Sequence, residues 1–188
     1  EYHGEGVKTL SVADRMTIAN LASEMGAKNA VFPADEILEE FYGKKIKGVW
    51  ADKDAVYECT LIINLSKVFP VVAAPHNVDN IKSIADVTGT AVHEGLIGTC
   101  TNGRIEDLRI AAKILKGKHV KKGFQLHVIP ASQKILLQAV KEGLFSILVD
   151  SGANVLTPSC GPCLGTGLGI PAPGHTVIST ANRNFLGR

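Results

Sequence analysis

Cys100 lies within Gly98-Thr99-Cys100-Thr101-Asn102-Gly103-Arg104, and two more cysteines close a second loop, Thr157-Pro158-Ser159-Cys160-Gly161-Pro162-Cys163-Leu164-Gly165. Three thiolates on glycine-rich loops suggest a metal centre with one open coordination position. A 4Fe-4S cluster normally takes four cysteines. One held by three keeps an iron free for substrate, and that iron acts as a Lewis acid and not as an electron carrier.

Other chemistries fit parts of this pattern. Cys160-Gly161-Pro162-Cys163 spells the dithiol of a thioredoxin, which sits at the start of a helix whose dipole lowers a thiol pKa. Here Leu164-Gly165-Thr166-Gly167-Leu168-Gly169-Ile170-Pro171 follows, and three glycines and a proline make a poor helix. Zinc held by the three cysteines and completed by His93 or His175 is a second possibility. Buried packing is the plainest one, but a pair three positions apart amid Gly and Pro is an unusual way to fill a core. The glycines suit a loop that must approach a bulky inorganic group and turn N–H groups toward its sulfurs. As a phosphate loop, Gly165-x-Gly167-x-Gly169 lacks the Lys-Ser/Thr ending and the following helix.

The rest of the chain must hold these loops in place. With 188 residues, 45% of them apolar, it can bury a core in one or two domains. The apolar runs are short and no signal pattern opens the chain, so a cytoplasmic protein with no membrane association is expected. A net charge of +2 points to neither a dedicated nucleic-acid binder nor an acidic tail. Four cysteines are too few for a disulfide scaffold. Cys59, apart from the others, reads as a packed strand residue.

Ser11 with Asp14 predicts a capped helix running to about Met25, stopped by Gly26, with Thr17, Asn20 and Glu24 in one polar stripe. A short helix is expected over 35–42, a loop or hairpin over 43–54 and a strand over 56–64. From about Asp79 the pattern becomes that of a layered α/β domain, with strands at 95–97, 125–129, 154–156 and 176–179 and helices at 105–115, 132–142 and 144–150. Ligands gather at the carboxyl ends of such strands. Cys100, the Cys160/Cys163 pair and Asn182-Arg183 each follow one.

Gly98-Thr99-Cys100-Thr101-Asn102-Gly103-Arg104-Ile105-Glu106-Asp107-Leu108-Arg109, Pro158-x-Cys160-Gly161-Pro162-Cys163 and Asn182-Arg183-Asn184-Phe185-x-Gly187-Arg188 together resemble the aconitase superfamily. The likeness is closest to its branch of 3-isopropylmalate dehydratase and homoaconitase large subunits. Glu1-Tyr2-x-Gly4, Leu10-Ser11, Arg15-Met16-Thr17, Asn20-x-x-x-Glu24-x-Gly26-Ala27 and Pro75-His76-Asn77-Val78-Asp79-Asn80 extend it over nearly the whole chain.

The resemblance implies layered α/β/α domains, with residues 1–78 the later part of one domain and 79–188 a cluster-binding domain. It implies that Cys100, Cys160 and Cys163 hold a 4Fe-4S cluster, and that Asn20 and Asn182 hydrogen-bond around it. Arg183 and Arg188 would grip substrate carboxylates, and Glu24 would pair with a catalytic histidine. The implied reaction moves a hydroxyl between neighbouring carbons of a hydroxy di- or tricarboxylic acid by dehydration and rehydration, in leucine or lysine biosynthesis. Its base is a serine on a swivelling domain or small partner subunit, and no matching Gly-Ser-Ser-Arg stretch occurs here. The family's Asp-Ser-His motif is also absent, so a partial chain lacking the N-terminal and swivel domains, inactive alone, is expected.

A different class of function is RNA binding through the basic run Lys113 to Lys122. Cations there suit a helix end, and no aromatics alternate with them. His3, His76, His119 and His127 lack metal-ligand spacing and read as surface or packing residues.

Overall fold

The computed structural model describes residues 1–186, which fall into two compact units, Glu1–Pro70 and a second beginning at Val71. The first unit is built around α1 (Val12–Asn20) and α2 (Glu36–Tyr42), with 3-10 helices at Glu5–Thr9 and Leu65–Lys67. Ser11 caps α1 in a reciprocal box, its hydroxyl accepting from the Asp14 N–H and its own N–H donating to the Asp14 carboxylate. Ser11→Ala should cost about 1 kcal/mol, read as a fall in the urea midpoint with Ser11→Gly in between.

The helix ends at Asn20, short of Met25. The Leu21, Ala22, Glu24, Met25 and Gly26 N–H groups each donate to the carbonyl three residues back, so the chain tightens into turns after Asn20. Glu24 therefore leaves the 3.6-residue stripe. Apolar burial in this unit is sparse, limited to Val7, Val12 and Ala22, and its most connected buried side chain is a cation. Arg15, 4% exposed, makes a bidentate pair with Asp35 at 2.8 and 2.6 Å and donates to the carbonyls of Val7, Leu10 and Pro33. Because the Asp35 carboxylate also accepts from the Leu38 N–H as the N-cap of α2, one guanidinium ties the two helices together.

The strand expected over 56–64 does not form, and of the loop or hairpin expected over 43–54 the loop is what forms. The segment is irregular, with Val56 and Ile62 each 95% exposed, and Cys59 is exposed instead of packed in a strand. β-prone residues become a strand only where a ladder partner exists, and this stretch pairs with none among the described residues.

The second unit opens with an antiparallel pair, β1 (Val71–Ala73) and β2 (Ile81–Ser83), and a short α3 (Ile84–Val87). That pairing carries Val71 to Asn80 into the second unit. Its centre is a four-stranded parallel sheet of β3 (Glu94–Gly98), β4 (Gln125–Ile129), β5 (Asn154–Val155) and β6 (Val177–Ser179), in the order β5-β4-β3-β6. Between the strands run α4 (Thr99–Asn102), α5 (Ile105–Leu115), α6 (Gln133–Lys141) and α7 (Leu144–Asp150). The α/β class and the positions of these strands and of α5 to α7 agree with the sequence reading.

Leu126, Val128 and Ile97 point to one face, where they meet Ile105, Leu108, Ala111, Ala112, Ala139 and Leu148 from the helices. The period-two alternation sends Glu94, Leu96, His127 and Ile129 to the other face. No helix among the described residues is long and apolar enough to cross a membrane.

Candidate functional site

Parallel strands deliver their exits to one edge, and here three exits carry the motif residues. Gly98-Thr99-Cys100 leaves β3, Thr180 to Arg183 leave β6, and the chain from β5 reaches Cys160. The end of β4 is the point on which the two cysteine loops converge. A Cβ at Gly98 would lie 2.1 Å from the Ile129 carbonyl oxygen, one at Gly103 would lie 2.3 Å from the same atom, and one at Gly161 would lie 2.9 Å from Ile129 Cδ1. Glycine is required at Gly98 twice over, since its φ is +117°.

The Cys160 loop turns tightly. Gly161–Cys163 is a 3-10 helix in which the Cys163 N–H donates to the Cys160 carbonyl at 3.0 Å and the Gly161 carbonyl accepts from Leu164, Gly165 and Thr166. Further turns follow it, not an α-helix, so the thioredoxin arrangement is absent. Cys100 and Cys160 are exposed free thiols, and Cys163 is half-buried. Among the described residues no three His, Cys, Asp or Glu side chains converge in a geometry that would hold a metal ion. What the backbone brings together is the loops, with the thiols accessible on them.

The third motif is stitched to the first. Asn102 Nδ2 donates to the Thr180 carbonyl and to Asn182 Oδ1, the latter at 3.0 Å, and the Gly98 N–H donates to Thr180 Oγ1 at 2.9 Å. Asn182 thus stands against the Cys100 loop. Arg183 is half-buried beside it in sequence, and Asn184 Nδ2 donates to the carbonyls of Ala73, Ala74 and Asn77, anchoring the arginine-bearing segment on the turn after β1. Arg188 lies outside the described residues. Asn20 and Glu24 belong to the first unit, Asn20 as the last residue of α1 and Glu24 as a half-buried turn residue accepting from Ser23 Oγ at 2.7 Å.

Sequence reasoning did not single out Asn102, Thr99 or the clamp made by Asn184. Their signal was present only as membership of the motifs. It also missed a buried polar group at the other end of the sheet. Glu94, 4% exposed, has one carboxylate oxygen 3.1 Å from His175 Nδ1 and the other 4.0 Å from buried His127, while His93 stacks on His175 at 4.6 Å. β3 spans about 13 Å from Glu94 to Gly98 at ~3.3 Å per residue, and this group and Cys100 lie at opposite ends of it. His93 and His175 therefore do not complete a cysteine site. The lysines from Lys113 to Lys122 are exposed where α5 ends, as solvated helix-terminal charge.

The donor set fits an iron–sulfur group by two observations. Soft thiols stand on accessible loops, and glycines sit where any side chain would push those loops off the end of β4.

Known proteins supply the remaining evidence. The model of the Aconitase family (aconitate hydratase) matches residues 1–91 and 80–188. The chain is 52% identical to the 3-isopropylmalate dehydratase large subunit of Caldicellulosiruptor saccharolyticus and 49% identical to that of Clostridium beijerinckii. It is 48% identical to the 3-isopropylmalate dehydratase large subunit 2 of Archaeoglobus fulgidus. Each match takes in 100% of this chain but only 45–46% of the relative's length, so the chain spans less than half of the curated relatives it matches. The family model matches along the chain, over the cysteine loops and the Asn182-Arg183 segment described above, and the chain belongs to the aconitase family.

Proposed function

We propose that this chain is the cluster-holding portion of a hydro-lyase large subunit that isomerises a hydroxy di- or tricarboxylic acid by dehydration and rehydration. Among such acids 3-isopropylmalate is the substrate we favour, which would place the protein in leucine biosynthesis. The observation that carries this reading is the closure of both cysteine loops on Ile129, in a chain of a family whose membership implies an iron–sulfur cluster. Relatives named as 3-isopropylmalate dehydratase large subunits support the choice of substrate over homocitrate-derived acids or citrate. The same name implies a small subunit as partner, which in our reading brings the catalytic serine. Exposed free thiols at Cys59, Cys100 and Cys160 suit a reducing compartment, and we place the protein in the cytoplasm.

In this reading Cys100, Cys160 and Cys163 hold one 4Fe-4S cluster. When bound, the cluster supplies a Lewis acid at its iron not ligated by cysteine. Asn182, held by Asn102, presents its amide beside the Cys100 loop. Arg183 offers a planar, permanently charged fork matched to a substrate carboxylate, and its half-buried position strengthens such a pair relative to one in open water. Arg188 shares that task, Asn20 hydrogen-bonds near the cluster, and Glu24 orients a catalytic histidine.

Anaerobic reconstitution with iron and sulfide is expected to give about four irons and four labile sulfides per chain, with a Cys160→Ser variant losing most of both. Retention of zinc without sulfide, or equal loading of the variant, would overturn the cluster assignment. Substrate choice is read separately, by rates of the complete large subunit with its small subunit on 3-isopropylmalate, a homocitrate-derived acid and citrate. Fastest turnover of either of the last two would overturn it.

A further inference from the structure

We infer that the Thr99 hydroxyl is a hydrogen-bond donor reserved for a sulfur of the group held at Cys100, an inference that rests on the cluster reading above. Thr99 carries two local penalties at once. Its φ is +67°, the one positive φ on a residue other than glycine among the described residues, and it is β-branched, the side-chain type that tolerates that region least. It is also 1% exposed, and its Oγ1 has no hydrogen-bond partner among the described residues. A buried hydroxyl without a partner costs free energy that an apolar group of the same shape would not. Local violations of this kind collect where function needs them.

Its surroundings explain why neither penalty relaxes. Gly98 before it and Gly103 after it are both pressed on the Ile129 carbonyl oxygen, so the loop cannot slide to bring the hydroxyl to a protein acceptor. The nearby Thr180 shows the ordinary case, its Oγ1 accepting from the Gly98 N–H at 2.9 Å. Thr99 differs in keeping an O–H with nothing to receive it, one residue before a thiol. Thiolate and sulfide sulfurs accept such bonds, and donors to them raise a cluster's reduction potential and slow its loss.

The test compares Thr99→Val, Thr99→Ser and Thr99→Gly in the reconstituted chain, reading the rate of cluster loss to a chelator and the midpoint potential, beside the thermal midpoint of each metal-free form. Valine keeps the shape and the branch but removes the donor. It should leave the metal-free midpoint unchanged or higher, while the cluster is lost about tenfold faster and its potential falls. Glycine, which removes strain and donor together, should show the same cluster defects, and serine should restore near-wild-type values. Valine matching wild type in loss rate and potential would overturn the inference while leaving the cluster reading intact. So would cluster defects that track a lowered metal-free midpoint, since they would mark a packing role. A wild-type chain that assembles no cluster would overturn both.

Discussion

Gly98→Ala is expected to remove the candidate site and destabilise the second unit together. The added methyl would lie 2.1 Å from the Ile129 carbonyl oxygen and 2.9 Å from its carbon, both backbone atoms within the β3–β4 ladder. No rotamer change relieves that overlap, so the strands must part where the Cys100 loop begins. The φ of +117° adds strain of its own. The two effects, each about 1–3 kcal/mol, sum to roughly 2–6 kcal/mol, a large fraction of a domain's usual 5–15 kcal/mol. Gly117→Ala is the control, since Gly117 has a φ of +72° and nothing near its absent Cβ; it should cost only about 1 kcal/mol. Urea midpoints and cluster retention read both. Equal losses in the two variants would show that close approach to Ile129 is not what Gly98 serves.

Arg15→Met should have the largest effect in the first unit. With Arg15 and Asp35 side chains 4% and 16% exposed, removing the cation leaves a carboxylate poorly solvated and three carbonyls without their donor. Breaking such a pair costs about 3–5 kcal/mol, so hydrogen-exchange protection across α1 and α2 should drop roughly a hundred- to a few-thousand-fold. The pH dependence carries a second signature. Hydrogen bonds from the Arg15 guanidinium, more than any other cause, hold the Asp35 carboxyl below its usual range. Its folded pKa is thus depressed, so the stabilisation is complete above the unfolded value of about 3.9 and is lost as pH falls through the folded value. Protection in the wild type should decline below about pH 4, and the Met variant should follow a flatter curve there. An equally steep variant would assign the acid sensitivity to another group.

Several features were legible because they are local. The Ser11/Asp14 box and the short helix ending at Tyr42 depend on neighbours a few residues away. The α5 to α7 helices and the strands from β3 to β6 announced themselves by periodicity. Residues 56–64 misled for the complementary reason. Their composition suits a strand, but a strand is a relation to another strand, and the chain offers none among its described residues. α1 was read too long because nothing in the sequence between Asn20 and Gly26 signals the change from α-helical to 3-10 bonding.

Family membership and the identity of the candidate ligands were thus written in the sequence, since motif residues at set spacings need no coordinates to be recognised. Only the tertiary structure decided how those motifs meet. It put Gly98, Gly103 and Gly161 against one residue, Ile129, from loops far apart in the chain. It also tied Asn182 to Asn102 and clamped Asn184 to the turn after β1, while leaving the Thr99 hydroxyl buried without an acceptor among the described residues. Each of these is a non-local contact or the lack of one, set by sheet order and by the close approach of backbones, and no window of sequence contains that information.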